Sequence, residues 1–162
     1  NDPVMYIYDR WLYEQEDDLL PITELDLAEQ GPNITTVGSD ITIVASGHSS
    51  LLARESVLPL AEKGISAEVI DIRVLNPFYS ETIIDSVCKT KNLLIVDSGT
   101  LTGGFSAEIV ASVIEKLPLN SLDSPPRRVA LPDAPAPTSR VLEEAYYTSV
   151  EDIIETVKSI FK

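Results

Sequence analysis

The residues able to do chemistry in this chain are few, and they gather where apolar runs end. Gly47-His48-Ser49-Ser50 follows the run Ile41-Thr-Ile-Val-Ala45 and carries the only histidine among 162 residues. An imidazole in such a turn is a candidate general base or ligand contact, because its unperturbed pKa lies near neutrality. Spacing alone supplies no carboxylate to orient His48, so a cap or surface role competes with catalysis. Ser46, Ser49 and Ser50 lack the G-x-S-x-G setting of a nucleophile elbow, which argues against a Ser-His-Asp hydrolase.

The second group is Gly99-Thr-Leu-Thr-Gly-Gly104, between a strand-like run and a helical pattern. Turns of this kind hold phosphate on free helix amides in many α/β folds. The spacing matches neither G-x-G-x-x-G nor G-x-x-x-x-G-K-[ST], and no Lys follows. A turn that lets helix and strand approach closely is the competing reading. His48, Leu101, Gly103, Gly104 and Phe105 are therefore candidates for a ligand edge or an interface. Asp71 and Asp97 end apolar runs at the same edge, where they face a ligand or cap backbone amides. Cys88 reads as a small core residue on the apolar side of its helix.

These groups need a framework. Ile41–Ala45, Ala67–Ile72, Leu93–Val96 and Arg128–Leu131 are short apolar runs bounded by turn residues, the signal of buried strands. The run Leu93-Leu-Ile-Val96 does not alternate, which implies burial on both faces. Between the runs lie helical spacings. Leu51, Leu52, Val57, Leu58 and Ala61 form one stripe, with His48-Ser49-Ser50 as N-cap chemistry, Pro59 expected to kink the last turns and Gly64 as terminator. Ser80-Glu81 opens a second helix, with Ile83, Ile84, Val87 and Cys88 as its apolar face. Ser106–Leu117, Val141–Tyr146 and Ser149–Phe161 follow. Alternation of this kind predicts an α/β fold: an open three-layer sheet, mostly parallel with room for an antiparallel edge strand, and helices on both faces.

Composition narrows the function. Apolar residues make up 44% of the chain, enough for a core, and no apolar run reaches the about 20 residues of a membrane span. A formal net charge of −14 disfavours nucleic acid, whose binding rests on Lys and Arg. The first 30 residues hold nine acids and one base, a net of −8, and the rest carries −6. This surface suits solubility or a basic partner. One cysteine excludes an intrachain disulfide and fits a reducing compartment, cytoplasm, mitochondrial matrix or plastid, and not secretion. One histidine makes His-rich metal chemistry unexpected. Residues 1–13 read as a packed arm or the end of a preceding domain, 14–39 as an acidic linker with room for one short strand, and 40–162 as the folded domain.

Several segments, in order, carry a resemblance. Asp40-Ile-Thr-Ile-Val-Ala-Ser-Gly47, Gly64-Ile-Ser-Ala-Glu-Val-Ile-Asp-Ile-Arg73, Leu75-Asn-Pro77, Leu101-Thr-Gly-Gly-Phe-Ser-Ala-Glu-Ile109 and Asp133-Ala-Pro-Ala-Pro137 with Leu142-Glu143 look like the C-terminal domain of the β subunit of thiamine-diphosphate-dependent 2-oxo acid dehydrogenases, the E1 component. That domain belongs to the transketolase C-terminal group. Each segment is weak alone, and the ordered set is specific. Asp2-Pro-Val-Met-Tyr-Ile-Tyr8 with Trp11-Leu-Tyr13 is similar to the end of the preceding pyrimidine-binding domain.

The resemblance implies a division of labour. The diphosphate and magnesium belong to the α-type domain and the activating glutamate to the pyrimidine-binding domain, so this chain is expected to bind no cofactor alone and to be inactive alone. Its implied partners are the E1 α subunit, a second β subunit and the E2 acyltransferase, with Asp123 and Lys162 as docking candidates. Pro59 departs from the family's Ala- and Glu-rich first helix. Thr138-Ser-Arg140 stands where many members carry an aromatic or His. These departures leave pyruvate, branched-chain oxo acids and acetoin open as substrates. The corresponding domain of a transketolase or a deoxyxylulose-phosphate synthase is the nearest rival. A stand-alone module holding a small anion at Gly47-His48 and Gly103-Gly104 is the rival from another class.

Overall fold

The computed structural model describes residues 3–7, 12–13, 15–16 and 29–162. Tyr8, Trp11 and residues 17–28, part of the arm and linker readings, lie outside the described residues; Val4, Met5, Tyr6 and Ile7 are exposed. The elements run β1 (Asn33–Thr36), β2 (Ile41–Ala45), α1 (His48–Ala61), β3 (Ala67–Asp71), α2 (Glu81–Thr90), β4 (Leu93–Thr100), α3 (Phe105–Ile114), β5 (Arg127–Leu131), α4 (Arg140–Tyr146) and α5 (Val150–Ile160). They build one sheet in the order β1-β3-β2-β4-β5. All pairings are parallel except β1 with β3, so the antiparallel edge strand is β1 and falls within the stretch read as linker.

The central strands consist mostly of Ile, Val and Leu because both of their faces are covered. Ile43, Ala45, Val69, Leu94 and Val96 pack under α1 and α5. Val44, Ile70, Ile72, Leu93 and Ile95 pack under α2 and α3. Each fully buried Ile, Leu or Val of this kind contributes about 1.5–3 kcal/mol. The helices are held at their ends too. Ser149 and Asp152 form a reciprocal capping box on α5. Gly64, at φ 78°, follows α1, and the Ile65 amide donates back to the Leu60 carbonyl at 3.1 Å.

Four expectations are corrected. Cys88 is exposed. The inward face of α2 is Ile83, Ser86, Val87 and Thr90, and Cys88 is turned about 100° from Val87. The polar members face inward because Thr42 on β2 meets them there, with hydroxyl contacts of 2.6 Å to Ser86 and 2.7 Å to Thr90. On α1 the buried residues are Ser49, Ser50, Ala53, Ser56 and Leu60, while Leu58 is 75% exposed. Small side chains let that helix lie close to the sheet. The N-cap of α1 is Gly47, with no side-chain bond, since the Ser49 and Ser50 hydroxyls reach neighbouring strand ends instead. Finally, β4 runs on through Asp97-Ser98-Gly99-Thr100, with its pairing to β5 shifting between Val96 and Thr100.

Glu68 is a charge inside this framework, 1% exposed on β3. Burial alone would raise its pKa. The Lys89 ammonium, 2.5 Å from Oε2, and the Gly38 amide outweigh burial and hold the carboxyl below its ordinary value of 4.5. The pair and the Gly38 amide tie α2 and the turn before β2 to β3. A depressed folded-state pKa gives stability that is present above the unfolded value and lost as pH falls through the folded one. Glu68→Gln is expected to cost about 2 kcal/mol at pH 7. The gap between wild type and variant in urea midpoints should close as pH drops below 4.5. A gap that stays constant from pH 7 to pH 3 would refute the role of this carboxylate.

Candidate functional site

The chain leaves β2 and β4, which are neighbours, toward opposite faces of the sheet: α1 joins one core and α3 the other. Such a reversal opens a crevice at the carboxyl ends of the two strands, the place where open α/β sheets bind ligands. Gly47, at φ 55° and ψ −133°, makes the turn into α1. A β-carbon there would meet nothing within 4 Å, so it is the backbone angle and not space that calls for glycine. Ser49 is buried, and its hydroxyl bonds the Ser98 hydroxyl across the crevice at 2.8 Å.

Above this pair lies a cavity of about 670 Å3, walled by α4 and the start of α5. His48, Ser49, Ser98, Leu131, Glu143 and Tyr147 are among its lining residues. Of the sequence candidates, His48 lines it, as the first residue of α1. Leu101 borders an adjoining groove along β5 of about 500 Å3, which shares Leu131, Tyr147 and Thr148 with the cavity. Gly103, Gly104 and Phe105 border neither, so the two glycine turns do not converge on one ligand. Ser98, Glu143 and Tyr147 escaped sequence reasoning. Nothing in their spacing marks them, because strand order and the return of the chain through α4 bring them together.

The Gly-Gly turn is a packing device centred on Asp97. Its Oδ1 accepts the Gly99 amide at 2.8 Å, and Oδ2 accepts the Ser106 amide at 2.7 Å. A side-chain carboxylate thus sits at the start of α3, where a phosphate would have to bind. A β-carbon on Gly104 would lie 2.2 Å from the Thr100 carbonyl oxygen and 2.9 Å from Asp97 Oδ2. Gly103 adopts φ 74°. Phe105 then packs edge-on against Phe78, with ring centroids 5.6 Å apart. Beyond the turn, Thr102 donates its amide and hydroxyl to Asp133, at 3.0 and 2.6 Å. Those two bonds hold the Asp133 carboxyl below the usual carboxylate range. They also anchor the proline-rich loop that leads into α4.

These residues do not fit a diphosphate with its metal. Asp97 occupies the amides, no Lys follows the turn, and among the described residues no three His, Cys, Asp or Glu side chains are grouped to hold a metal ion. Asp71 likewise serves the backbone, accepting from the Ser50 hydroxyl and the Arg73 amide. Asp123 and Lys162 lie away from the crevice. Asp123 is exposed just before β5, its amide bonded to the Lys91 carbonyl ahead of β4. Lys162 follows α5, which starts beside the cavity; 11 residues carry that helix about 16 Å toward the opposite edge. Both candidates therefore belong to the amino-terminal edge of the sheet.

An open, mostly parallel α/β sheet with an antiparallel edge strand and a crevice at its reversal point defines a class of domain. Within that class, the model of the transketolase C-terminal domain matches residues 32–153, and the chain belongs to that family. It is 34% identical to 2-oxoisovalerate dehydrogenase subunit beta 2, mitochondrial, of Arabidopsis thaliana, over 98% of this chain and 43% of the relative. It is 33% identical to pyruvate dehydrogenase E1 component subunit beta, mitochondrial, of Homo sapiens, over 98% of this chain and 45% of the relative. The chain thus spans less than half the length of these curated relatives. Among solved structures, a split-gene transketolase in an inactive beta4 tetramer shares the fold with a TM-score of 0.73 and 23% identity, over 90% of this chain and 45% of that one.

Gly104→Ala is expected to destabilise the domain by about 2–3 kcal/mol, because backbone blocks the new methyl group. Gly31→Ala, where nothing lies within 4 Å, should stay within about 0.5 kcal/mol. Urea unfolding of the two variants tests this, and equal effects would refute the close-approach account.

Proposed function

We propose that this chain is the C-terminal assembly half of the β subunit in the E1 component of a thiamine-diphosphate-dependent 2-oxo acid dehydrogenase complex. The parent reaction is oxidative decarboxylation of a 2-oxo acid with acyl transfer to the lipoyl groups of E2. One observation carries the reading. Nearly the whole chain aligns with subunits named for different 2-oxo acids, while covering less than half of each. What these relatives share over this stretch is the subunit type and not one substrate. The Ser106 amide at the start of α3, occupied by the Asp97 carboxylate, supports the same view.

On this reading thiamine diphosphate and magnesium belong to the parent assembly, held by neighbouring domains. The E1 α subunit and a second β subunit pack against the carboxyl edge, where His48, Leu101, Gly103, Gly104 and Phe105 lie. E2 docks at the other edge, near Asp123 and Lys162. Exposed Leu119, a shallow groove between Ile114 and Leu122, and the net charge of −14 support that docking by a small basic domain. The compartment is a reducing one, cytoplasm, mitochondrial matrix or plastid. The transketolase alternative has in its favour the shared fold with the split-gene enzyme, which speaks to architecture alone.

Two measurements test the reading. The purified chain with thiamine diphosphate, magnesium and pyruvate or a branched-chain oxo acid is expected to release no CO2, and turnover by the chain alone would overturn the proposal. Asp123→Lys is expected to weaken binding of the E2 subunit-binding domain by about tenfold, equivalent to about 1.4 kcal/mol. Unchanged affinity would remove Asp123 from the docking surface.

A further inference from the structure

We propose that β1 is a strap that opens and closes over the outer edge of β3, hinged at Gly38 and latched by Arg73 on Gly31. Such a device goes beyond the assembly role and does not rest on it. The ties along residues 31–38 are unequal. At the hinge the chain is fixed. Gly38 is buried, and a β-carbon on it would lie 2.2 Å from the Ala67 backbone carbon. Its amide donates to Glu68 Oε2 at 3.3 Å, and the Ser39 and Asp40 amides both donate to the Ser66 carbonyl. The strand itself is lightly held. It has four residues, its pairing with β3 slips between Ile34 and Thr36, and Asn33, Ile34 and Thr35 are exposed. Among the described residues, none of its side chains joins either core cluster. Thr35 adds one hydroxyl bond to the Val69 carbonyl at 3.2 Å. Segments with few buried apolar contacts open at the lowest free energy.

The other end depends on Arg73. Its guanidinium donates through Nη2 to the Gly31 carbonyl at 2.6 Å, across 42 residues of chain. The backbone beneath that side chain is strained. Arg73 adopts φ 59°, in the left-handed region that crowds a residue with a β-carbon. The Val74 amide bonds the Ile72 carbonyl at 2.7 Å, closing a tight three-residue turn centred on Arg73. The turn is anchored from below. Ile72 is buried, and Asp71 Oδ1 accepts both the Arg73 amide at 3.3 Å and the Ser50 hydroxyl at 3.0 Å. Strain of this kind persists only where the surroundings over-determine it, and it points to a use. Glycine would make the same turn at no steric cost. What Arg73 adds is the bond to Gly31.

The closed strap protects the sheet. β3 carries Val69 and Ile70, both fully buried, and β1 pairs with both. With β1 lifted, the backbone groups on that side of β3 lose their partners. An unpaired apolar edge is a template for strand pairing with another chain. Arg73 thus holds shut the lateral edge of the sheet from a turn at the carboxyl end of β3.

Amide hydrogen exchange of the whole chain at neutral pH tests the latch. Arg73→Gly and Arg73→Asn both tolerate positive φ, so they keep the turn and remove the guanidinium. In both variants the paired amides of residues 33–36 are expected to exchange about tenfold faster, the effect of one lost hydrogen bond from a charged group. The amides of Ile41–Ala45 and the urea midpoint should stay at wild-type values or rise, because strain is relieved. Gly31→Ala keeps the carbonyl and should leave exchange at residues 33–36 unchanged. A residue that only shaped the turn gives a different result: residues 33–36 exchange at the wild-type rate in Arg73→Gly and Arg73→Asn. That outcome would overturn the proposal. Equal acceleration in β1 and β2 would also overturn it, since it reports loosening of the whole sheet. CO2 release by the chain, or a change in E2 docking, bears on the function proposed above and leaves the strap standing.

Discussion

The carboxylate of Asp97 is the contact on which the layout of the carboxyl edge depends. It bonds the Gly99 amide on its own strand and the Ser106 amide at the start of α3, and so sets where the central strand stops and the helix begins. Gly104 is demanded by the same closeness. The turn then presents Thr102 to Asp133, which fixes the proline-rich loop. That loop is tied to α4 through the Tyr146 hydroxyl, which donates to the Ala134 carbonyl at 2.9 Å. The wall of the cavity thus stands at the end of a chain of hydrogen bonds that begins at one half-buried residue of β4.

The two faces of the sheet are built differently. Under α1 and α5 the strands present an aliphatic layer, which α1 meets with Ala53 and Leu60 beside the buried Ser49, Ser50 and Ser56. Under α2 it includes Thr42, Ser86, Thr90 and the Glu68–Lys89 pair, each buried hydroxyl meeting a partner. A buried polar layer contributes little net stability beyond what an apolar one would give, and it costs heavily when one member is removed. Its effect here is register. Thr42 and Glu68 each bond side chains of α2, which holds the helix along the strands as well as against them.

Much of this architecture was legible in the sequence, for definite reasons. Ile41–Ala45, Ala67–Ile72 and Leu93–Val96 are strands buried on both faces, and unbroken apolar runs between turn residues are the pattern that such burial imposes. Helix α5 lies within the span Ser149–Phe161 read from the sequence, with Ile153, Ile154 and Val157 turned inward. Two of the failures, on α1 and α2, have a common cause: the reading equated inward with apolar. Ser86 and Thr90 point inward because they meet polar partners on other strands, which displaced Cys88 from the face assigned to it. Leu58 points outward because Ala53 and Ser56 let the helix lie close. The Gly-Gly turn was legible as a close-packing device, and its competing role as a ligand loop was undone by Asp97. The cavity was invisible, since His48, Ser98 and Glu143 lie far apart along the chain and only the order of strands joins them.

Helix α5 runs from one edge of the sheet toward the other. Its capped first turn borders the cleft, and its last turn leads to the face that carries Asp123 and Lys162. A load applied at one of these edges would therefore reach the other lengthwise, along this single rod or through the layer of side chains beneath it.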